Sequence, residues 1–276
     1  MRDPSFVVED TAVAVDGRRL SVRRVTPSTV APGAPTLVFL HEGLGSIGLW
    51  KDVPEALCRA TGLPAVVYDR LGHGGSDPLR AWPRPVGYLE HEAEHVLPRV
   101  LDALGLDRIV LVGHSDGGSI ALLYAALRPA GLLGAVTEAA HVFVEPVTLA
   151  GIRAARTAFL RGDLRAKLAR WHGRNTEGVF WGWNATWLTA PFPGWCMTDR
   201  LPSIRCPLLV IQGEADEYGT IAQVEAIVVG VCGPVTPFMV PDCGHVPHHQ
   251  ARAPVLAAMA DTVGRWTGTA DARRAP

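Results

Sequence analysis

The sequence predicts an α/β fold: a mostly parallel, doubly wound sheet with helices on both faces. Three observations carry that reading. Short runs rich in Val, Ile and Leu alternate with longer helical stretches. Those runs are apolar throughout, as strands buried on both faces must be, where half-exposed strands would alternate apolar with polar. Several of them end in glycine-rich turns. The 276 residues, 48% apolar and 19% charged, suit one domain with an insertion, long enough to bury a core without disulfide or metal staples.

Taken in order, Phe6–Val15 and Leu20–Val25 flank Asp16-Gly17 and predict an opening hairpin. Thr36–His41 is a strand running into a glycine-rich loop, followed by a helix over about Trp50–Ala60. Ala65–Asp69 is the next strand and leads to Gly72-His73-Gly74-Gly75-Ser76-Asp77-Pro78. A helix over about Tyr88–Leu104 precedes the strand Arg108–Gly113, and the helix Ser115–Leu127 precedes the strand Leu132–Thr137. The alternation then breaks. Residues 139–200 hold two helical patterns, Val147–Leu160 and Asp163–Trp171, and then a loop crowded with Trp and Pro. Five of the eight tryptophans (171, 181, 183, 187 and 195) fall there, which reads as a lid over a cleft, whereas its run of basic residues reads as a solvated helix face. Strands Pro207–Ile211 and Pro237–Val240 and helices near Ile221–Val231 and Pro247–Trp266 complete the core. The organisation is therefore core over 1–138, insertion over 139–200, core over 201–268 and a flexible tail over 269–276.

Composition excludes several classes of function. Lys and Arg number 26 against 27 Asp and Glu, so no net field draws the chain to nucleic acid or an anionic membrane. No apolar run reaches a membrane span, and charged residues follow Met1-Arg2-Asp3-Pro4 where a signal peptide would be apolar. A cytoplasmic location is expected. The five cysteines (58, 196, 206, 232 and 243) are scattered without a C-x-x-C pair and read as reduced thiols.

The chemistry centres on Gly113-His114-Ser115-Asp116-Gly117, a G-x-S-x-G pattern between a strand and a helix. A sharp turn there lifts a serine hydroxyl above the sheet edge, and side chains at the two glycines would collide with the neighbouring strand and helix. A serine needs a base, and the base an orienting acid. His245 and Asp216 each follow a predicted strand, in the order serine, acid, histidine. His248 and His249 are rival bases inside a predicted helix; Glu214, Glu217 and Glu138 are rival acids. The loop His41-Glu42-Gly43-Leu44-Gly45-Ser46 can present the Gly43 amide, with that of Glu42 as the alternative, to share an oxyanion with the Asp116 amide.

These motifs, with Tyr68-Asp69-Arg70-Leu71-Gly72-His73-Gly74-Gly75-Ser76, resemble the α/β-hydrolase superfamily, in its group with a helical cap, from Thr36 to Trp266. The resemblance implies a sheet of about eight strands with a cap after the sixth. Glu42 interrupts the His-Gly that usually opens the oxyanion loop. Asp116 stands where many members carry a neutral residue such as Met; the Ser-Asp-Gly-Gly form is similar to valacyclovir-hydrolase-type enzymes, where such an aspartate can meet a substrate amine. Two carboxylates near the reacting centre would favour a cationic or hydrogen-bond-donating substrate, unless they serve to hold loops, with Arg70 as a partner.

The expected function is hydrolysis of a carboxylic ester, or a related acyl compound, by Ser115, His245 and Asp216 with no cofactor and no metal. The substrate is a small molecule with an apolar or aromatic portion, met by Glu42, Trp181, Trp183 and Trp187. Alternatives are carbon–carbon bond hydrolysis of β-diketone-like compounds and a non-catalytic ligand receptor; a homo-oligomer stays open. His91-Glu92-Ala93-Glu94-His95 matches H-E-x-x-H, but without an evident third ligand it reads as a solvated helix face.

Overall fold

The computed structural model describes residues 6–269, so the first five residues, which include Met1-Arg2-Asp3-Pro4, and, apart from Thr269, the expected tail lie outside the described residues. Eight strands form one sheet: β1 (Phe6–Val15), β2 (Arg18–Pro27), β3 (Thr36–Leu40), β4 (Ala65–Tyr68), β5 (Ile109–His114), β6 (Leu132–Glu138), β7 (Leu208–Gly213) and β8 (Val235–Val240). Their order is β1-β2-β4-β3-β5-β6-β7-β8, with β1, β2 and β4 antiparallel and every later pair parallel. The eight-stranded, mostly parallel sheet is the expected one.

Strands β3 and β5 explain why the sheet is covered on both sides. Successive side chains on a strand point to opposite faces. Leu37 and Phe39 join one apolar core with Val110 and Val112, while Val38 and Leu40 join the other with Ile109 and Leu111. Every residue of both strands is buried.

The helices are α1 (Val53–Thr61), α2 (Tyr88–His91), α3 (Leu97–Leu104), α4 (Asp116–Ala126), α5 (Pro146–Arg161), α6 (Leu164–His172), α7 (Thr176–Leu188), α8 (Ile221–Gly230), α9 (Pro247–Gln250) and α10 (Arg252–Thr267). Helix α1 begins three residues later than expected, behind a 3-10 turn over Ile47–Trp50. The single helix expected over Tyr88–Leu104 contains a π turn at Glu92–Val96. The last helix breaks at Ala251, which leaves helical geometry at φ −127°.

A larger departure lies between β6 and β7. The Trp- and Pro-rich loop expected after residue 171 contains helix α7, which carries Trp181, Trp183 and Trp187. Its glycine, threonine and aromatic residues are indifferent helix formers, and it is buried nearly all round, so it shows no apolar stripe for periodicity to detect. Helices α5 and α7 pack together above the C-terminal strand ends, contributing Thr148, Ile152, Trp183 and Trp187 to a cavity shared with Ser115 and His245.

Candidate active site

Ser115 sits between the last residue of β5 and the first of α4, at φ 51° and ψ −116°. L-residues rarely adopt that conformation, and here it is held by its neighbours. A Cβ on Gly113 would overlap the Gly117 carbonyl, and one on Gly117 would overlap the Leu40 carbonyl of β3. Both glycines thus let strand and helix meet at the turn. The Ser115 amide donates to the Glu138 carbonyl at 2.8 Å.

The structure brings Asp216 and His245 to the same edge. His245 Nε2 lies 2.9 Å from Ser115 Oγ, and its Nδ1 lies 2.9 Å from both carboxylate oxygens of Asp216. Asp216 also accepts from the Gln212 side-chain amide at 2.7 Å and from the Tyr218 amide at 2.8 Å. Burial alone would raise the Asp216 pKa, but the imidazole and these donors outweigh it and hold the carboxyl below its ordinary value. An Asp216 carboxylate fixes Nδ1–H on the ring and leaves Nε2 as an acceptor for the Ser115 hydroxyl. The rival groups take other partners: His248 pairs with Glu138, which is the last residue of β6 and not part of the following loop. His249 donates to the Leu49 carbonyl, and Glu217 accepts from the His245 amide at 3.2 Å. Glu214 is exposed.

The loop after β3 is braced by buried side chains. The Glu42 carbonyl accepts from His41 Nδ1 at 2.7 Å, Arg70 Nη2 at 2.9 Å and the Gly45 amide at 3.0 Å. His41 Nε2 accepts from the Arg70 amide at 3.1 Å, so this ring is neutral, as its depressed pKa requires: burial is the larger cause and Arg70 the second. A trans peptide points its C=O and N–H in opposite directions. The Gly43 N–H is therefore turned away from this cluster, where Gly43 lines the cavity. Among the described residues neither the Gly43 amide nor the Asp116 amide, the first of α4, meets a protein acceptor. Gly43 must lack a side chain because a Cβ there would overlap the Trp183 indole.

The Asp116 carboxylate points away from the serine. It accepts from the Tyr88 hydroxyl at 2.7 Å and pairs with Arg70 at 3.5 Å, the Arg70 side chain being 0% exposed and that of Asp116 2%. Its side chain is thus a brace for the loop that Arg70 holds. Glu42 behaves differently, for its carboxylate borders the cavity and lies 3.4 Å from His114 Nδ1.

The cavity measures about 240 Å³ and is lined by Ser115 and His245 with Glu42, Trp183, Trp187 and Ile152, among others. That is below the usual range for ligand pockets and favours a small substrate. Trp181, expected among the substrate contacts, does not line it: the ring packs edge-on against Phe159 and Phe180, and its Nε1 donates to Glu177. The two-residue spacing on α7 explains this, since Trp181 and Trp183 sit about 200° apart around a helix. Sequence reasoning missed His114, His141 and Tyr218, all of which line the cavity. Only the position of His114 beside the serine could have marked it.

In the H-E-x-x-H segment His91 and His95 are exposed, but Glu92 is buried and paired with Arg84 at 3.2 Å, so only part of that helix is solvated. Among the described residues no three potential ligands gather into a metal site, and no helix is long and apolar enough to cross a membrane.

Comparison with known proteins agrees with this architecture. The sequence is 32% identical over 153 residues to the 2-succinyl-6-hydroxy-2,4-cyclohexadiene-1-carboxylate synthase of Enterobacter sp. (strain 638), covering 55% of this chain and 53% of that one. It is 36% identical over 110 residues to the synthase of the same name from Escherichia coli O1:K1 / APEC, 40% of each chain. The alignments thus span about half or less of these curated relatives. Among solved structures, VinJ superposes with a TM-score of 0.74 at 28% identity, covering 94% of this chain and 99% of that one. A proline iminopeptidase of Mycobacterium smegmatis gives 0.72 at 21% identity, with 95% and 100% covered, a likeness of fold. A family model described as the alpha/beta hydrolase fold matches residues 35–199, and with the strand order and the serine turn between β5 and α4 it establishes that the chain belongs to the α/β-hydrolase family.

Proposed function

We propose that the protein is a serine hydrolase that cleaves a small carboxylic ester, or a closely related acyl compound, through an acyl-enzyme. The observation that carries this reading is the Ser115 hydroxyl 2.9 Å from an imidazole whose other nitrogen is held by a buried carboxylate, at the floor of a cavity. Ser115 Oγ attacks the carbonyl carbon while His245 takes its proton, and Asp216 stabilises the imidazolium. The Gly43 and Asp116 amides receive the oxyanion. The C–O bond breaks as His245 gives the proton to the leaving alcohol. Water then attacks the acyl carbon, His245 takes its proton, and Ser115 leaves with that proton as the acid is released.

The aligned portion of the synthases supports a second reading, an activity of the kind their name gives. A product with succinyl and ring carboxylate groups calls for cationic partners, yet no lysine or arginine is among the described residues lining this cavity. Ester hydrolysis is therefore the better reading. A fluorophosphonate should label Ser115 stoichiometrically, and p-nitrophenyl esters of short acids should be hydrolysed at rates that Ser115→Ala lowers by roughly 10⁴-fold or more. Folded protein that takes up no label and leaves every ester intact would overturn the proposal in favour of a receptor.

A further inference from the structure

We propose that Glu42 is a specificity-determining residue that selects substrates carrying a positive charge or a strong hydrogen-bond donor close to the scissile carbonyl, and that the cavity rejects anionic ones. The inference rests on the serine-hydrolase reading and adds a substrate class to it.

The argument begins with how the carboxylate is seated. Glu42 Oε2 faces His114 Nδ1 at 3.4 Å. His114 cannot swing away, because its Nε2 donates to the His245 carbonyl at 2.7 Å. With one nitrogen donating and the other facing a carboxylate, the ring is an imidazolium: burial opposes the charge, but Glu42 overcomes it and raises the pKa to about 9. Gly45 completes the seat, since a Cβ there would overlap Glu42 Oε2.

The pair is neutral overall but lopsided towards the cavity. Both residues line the cavity, but the His114 side chain is 1% exposed and that of Glu42 26%, so the carboxylate is the more accessible end of the pair. No lysine or arginine is among the described lining residues to offset it further. Glu217 adds a second carboxylate at the rim, and His141 is kept neutral by burial and by its neighbour His245. Arg70 lies behind the loop, fully buried and paired with Asp116. In a partly enclosed cavity such a carboxylate favours a cation or donor and repels an anion more strongly than it would in bulk solvent. The remaining walls, Leu44, Ile152, Trp183, Trp187 and Val246, suit a short apolar or aromatic group beside that charge.

Matched ethyl esters test the proposal. Butyrate is neutral, 3-aminopropionate places an ammonium where butyrate has its methyl, and monoethyl succinate places a carboxylate there. Butyrylcholine against 3,3-dimethylbutyl butyrate repeats the comparison on the alcohol side. At least one cationic ester should exceed its neutral counterpart in kcat/KM about tenfold, the succinate ester should fall below ethyl butyrate by a similar factor, and Glu42→Gln should shrink the cationic-to-neutral ratio at least fivefold. Since Glu42→Gln also disturbs His114, inhibition of the parent protein gives an independent reading: n-butylammonium should bind at least tenfold more tightly than butyrate. Equal kcat/KM across the charge series, or a ratio unmoved by Glu42→Gln, overturns the selection. Ser115 labelling and hydrolysis of ethyl butyrate are scored separately, so the charge preference can fail while the hydrolase reading stands.

Discussion

Arg70→Met should cost both stability and turnover, for separate reasons that the structure lets us apportion. The guanidinium is 0% exposed and pairs with Asp116, itself 2% exposed, at 3.5 Å. Removing it leaves a buried carboxylate whose remaining donor is the Tyr88 hydroxyl at 2.7 Å. Breaking a buried pair on one side costs roughly 3–5 kcal/mol, and the tyrosine bond moves the expected loss towards the lower end of that range. Because the penalty comes from the stranded partner, Arg70→Met/Asp116→Asn should be more stable than the sum of the single changes by at least about 1 kcal/mol. The kinetic effect is smaller than outright loss of an oxyanion donor, which costs roughly 10²–10³ in kcat. The Glu42 carbonyl keeps His41 and the Gly45 amide after Arg70 is gone, so the Gly43 amide loosens without being removed. On that basis kcat should fall about tenfold, with KM changed less than about threefold, since an interaction made only in the transition state lowers kcat. Urea unfolding and steady-state hydrolysis of a neutral ester measure the two effects. Additive stabilities would refute the pairing, and a kcat equal to the parent's would refute the role of Arg70 in orienting the peptide.

Gly43→Ala places a methyl group where the Trp183 indole lies and should lower kcat/KM on a neutral ester about 10- to 100-fold, the range expected when a donor is displaced but not deleted. Trp183→Leu in the same chain should restore part of it, and a single variant as active as the parent would show that loop and ring separate freely. Stability should fall steeply with acid. Burial holds His41, His73, His141 and His172 below the ordinary histidine pKa, so the unfolded chain takes up protons first as pH drops through about 6.5, at a cost of up to about 5 kcal/mol per pH unit while all four stay neutral. His114, raised to about 9, acts in the opposite direction: its contribution, about 3 kcal/mol, is complete below pH 6.5 and lost as pH rises through 9. A urea midpoint that is flat from pH 5 to 9 would contradict both assignments.

Much of the fold is legible in the sequence because buried parallel strands announce themselves. Val110, Leu111 and Val112 leave no polar face, and the turn after them needs two glycines that strand and helix packing then explains. Ser115, Asp216 and His245 are legible for the same reason: each follows a strand, and parallel strands end on one edge. Helix α7 is not legible, since burial on almost every side removes the period on which helix recognition depends. Trp181 and Trp183 cannot be sorted into wall and lining until that helix has a direction. Nor does sequence separate the roles of the two unusual carboxylates, which lie 74 positions apart and differ only in what surrounds them. Asp116 is neutralised by Arg70 and Tyr88, 46 and 28 positions upstream, whereas Glu42 meets a histidine beside the serine.

The same peptide therefore performs two tasks that would conflict if one group carried both. The Glu42 carbonyl is consumed by His41, Arg70 and Gly45, which fixes the direction of the Gly43 amide, while the Glu42 carboxylate is left to meet the substrate. A carboxylate so near a forming oxyanion would raise the barrier were it not paired, and the His114 imidazolium supplies that pairing from the buried side. The helices between β6 and β7 enter this arrangement through His172 at the end of α6, whose Nε2 donates to the Leu44 carbonyl at 2.9 Å while its Nδ1 accepts from the Gly74 amide at 3.0 Å. That bonding needs a neutral ring, the form burial favours. It joins α6 directly to the loop that bears Glu42 and Gly43. Displacement of α6 would thus release the Leu44 carbonyl, one residue from the Gly43 amide, so the seating of α6 and the position of that amide depend on one set of hydrogen bonds.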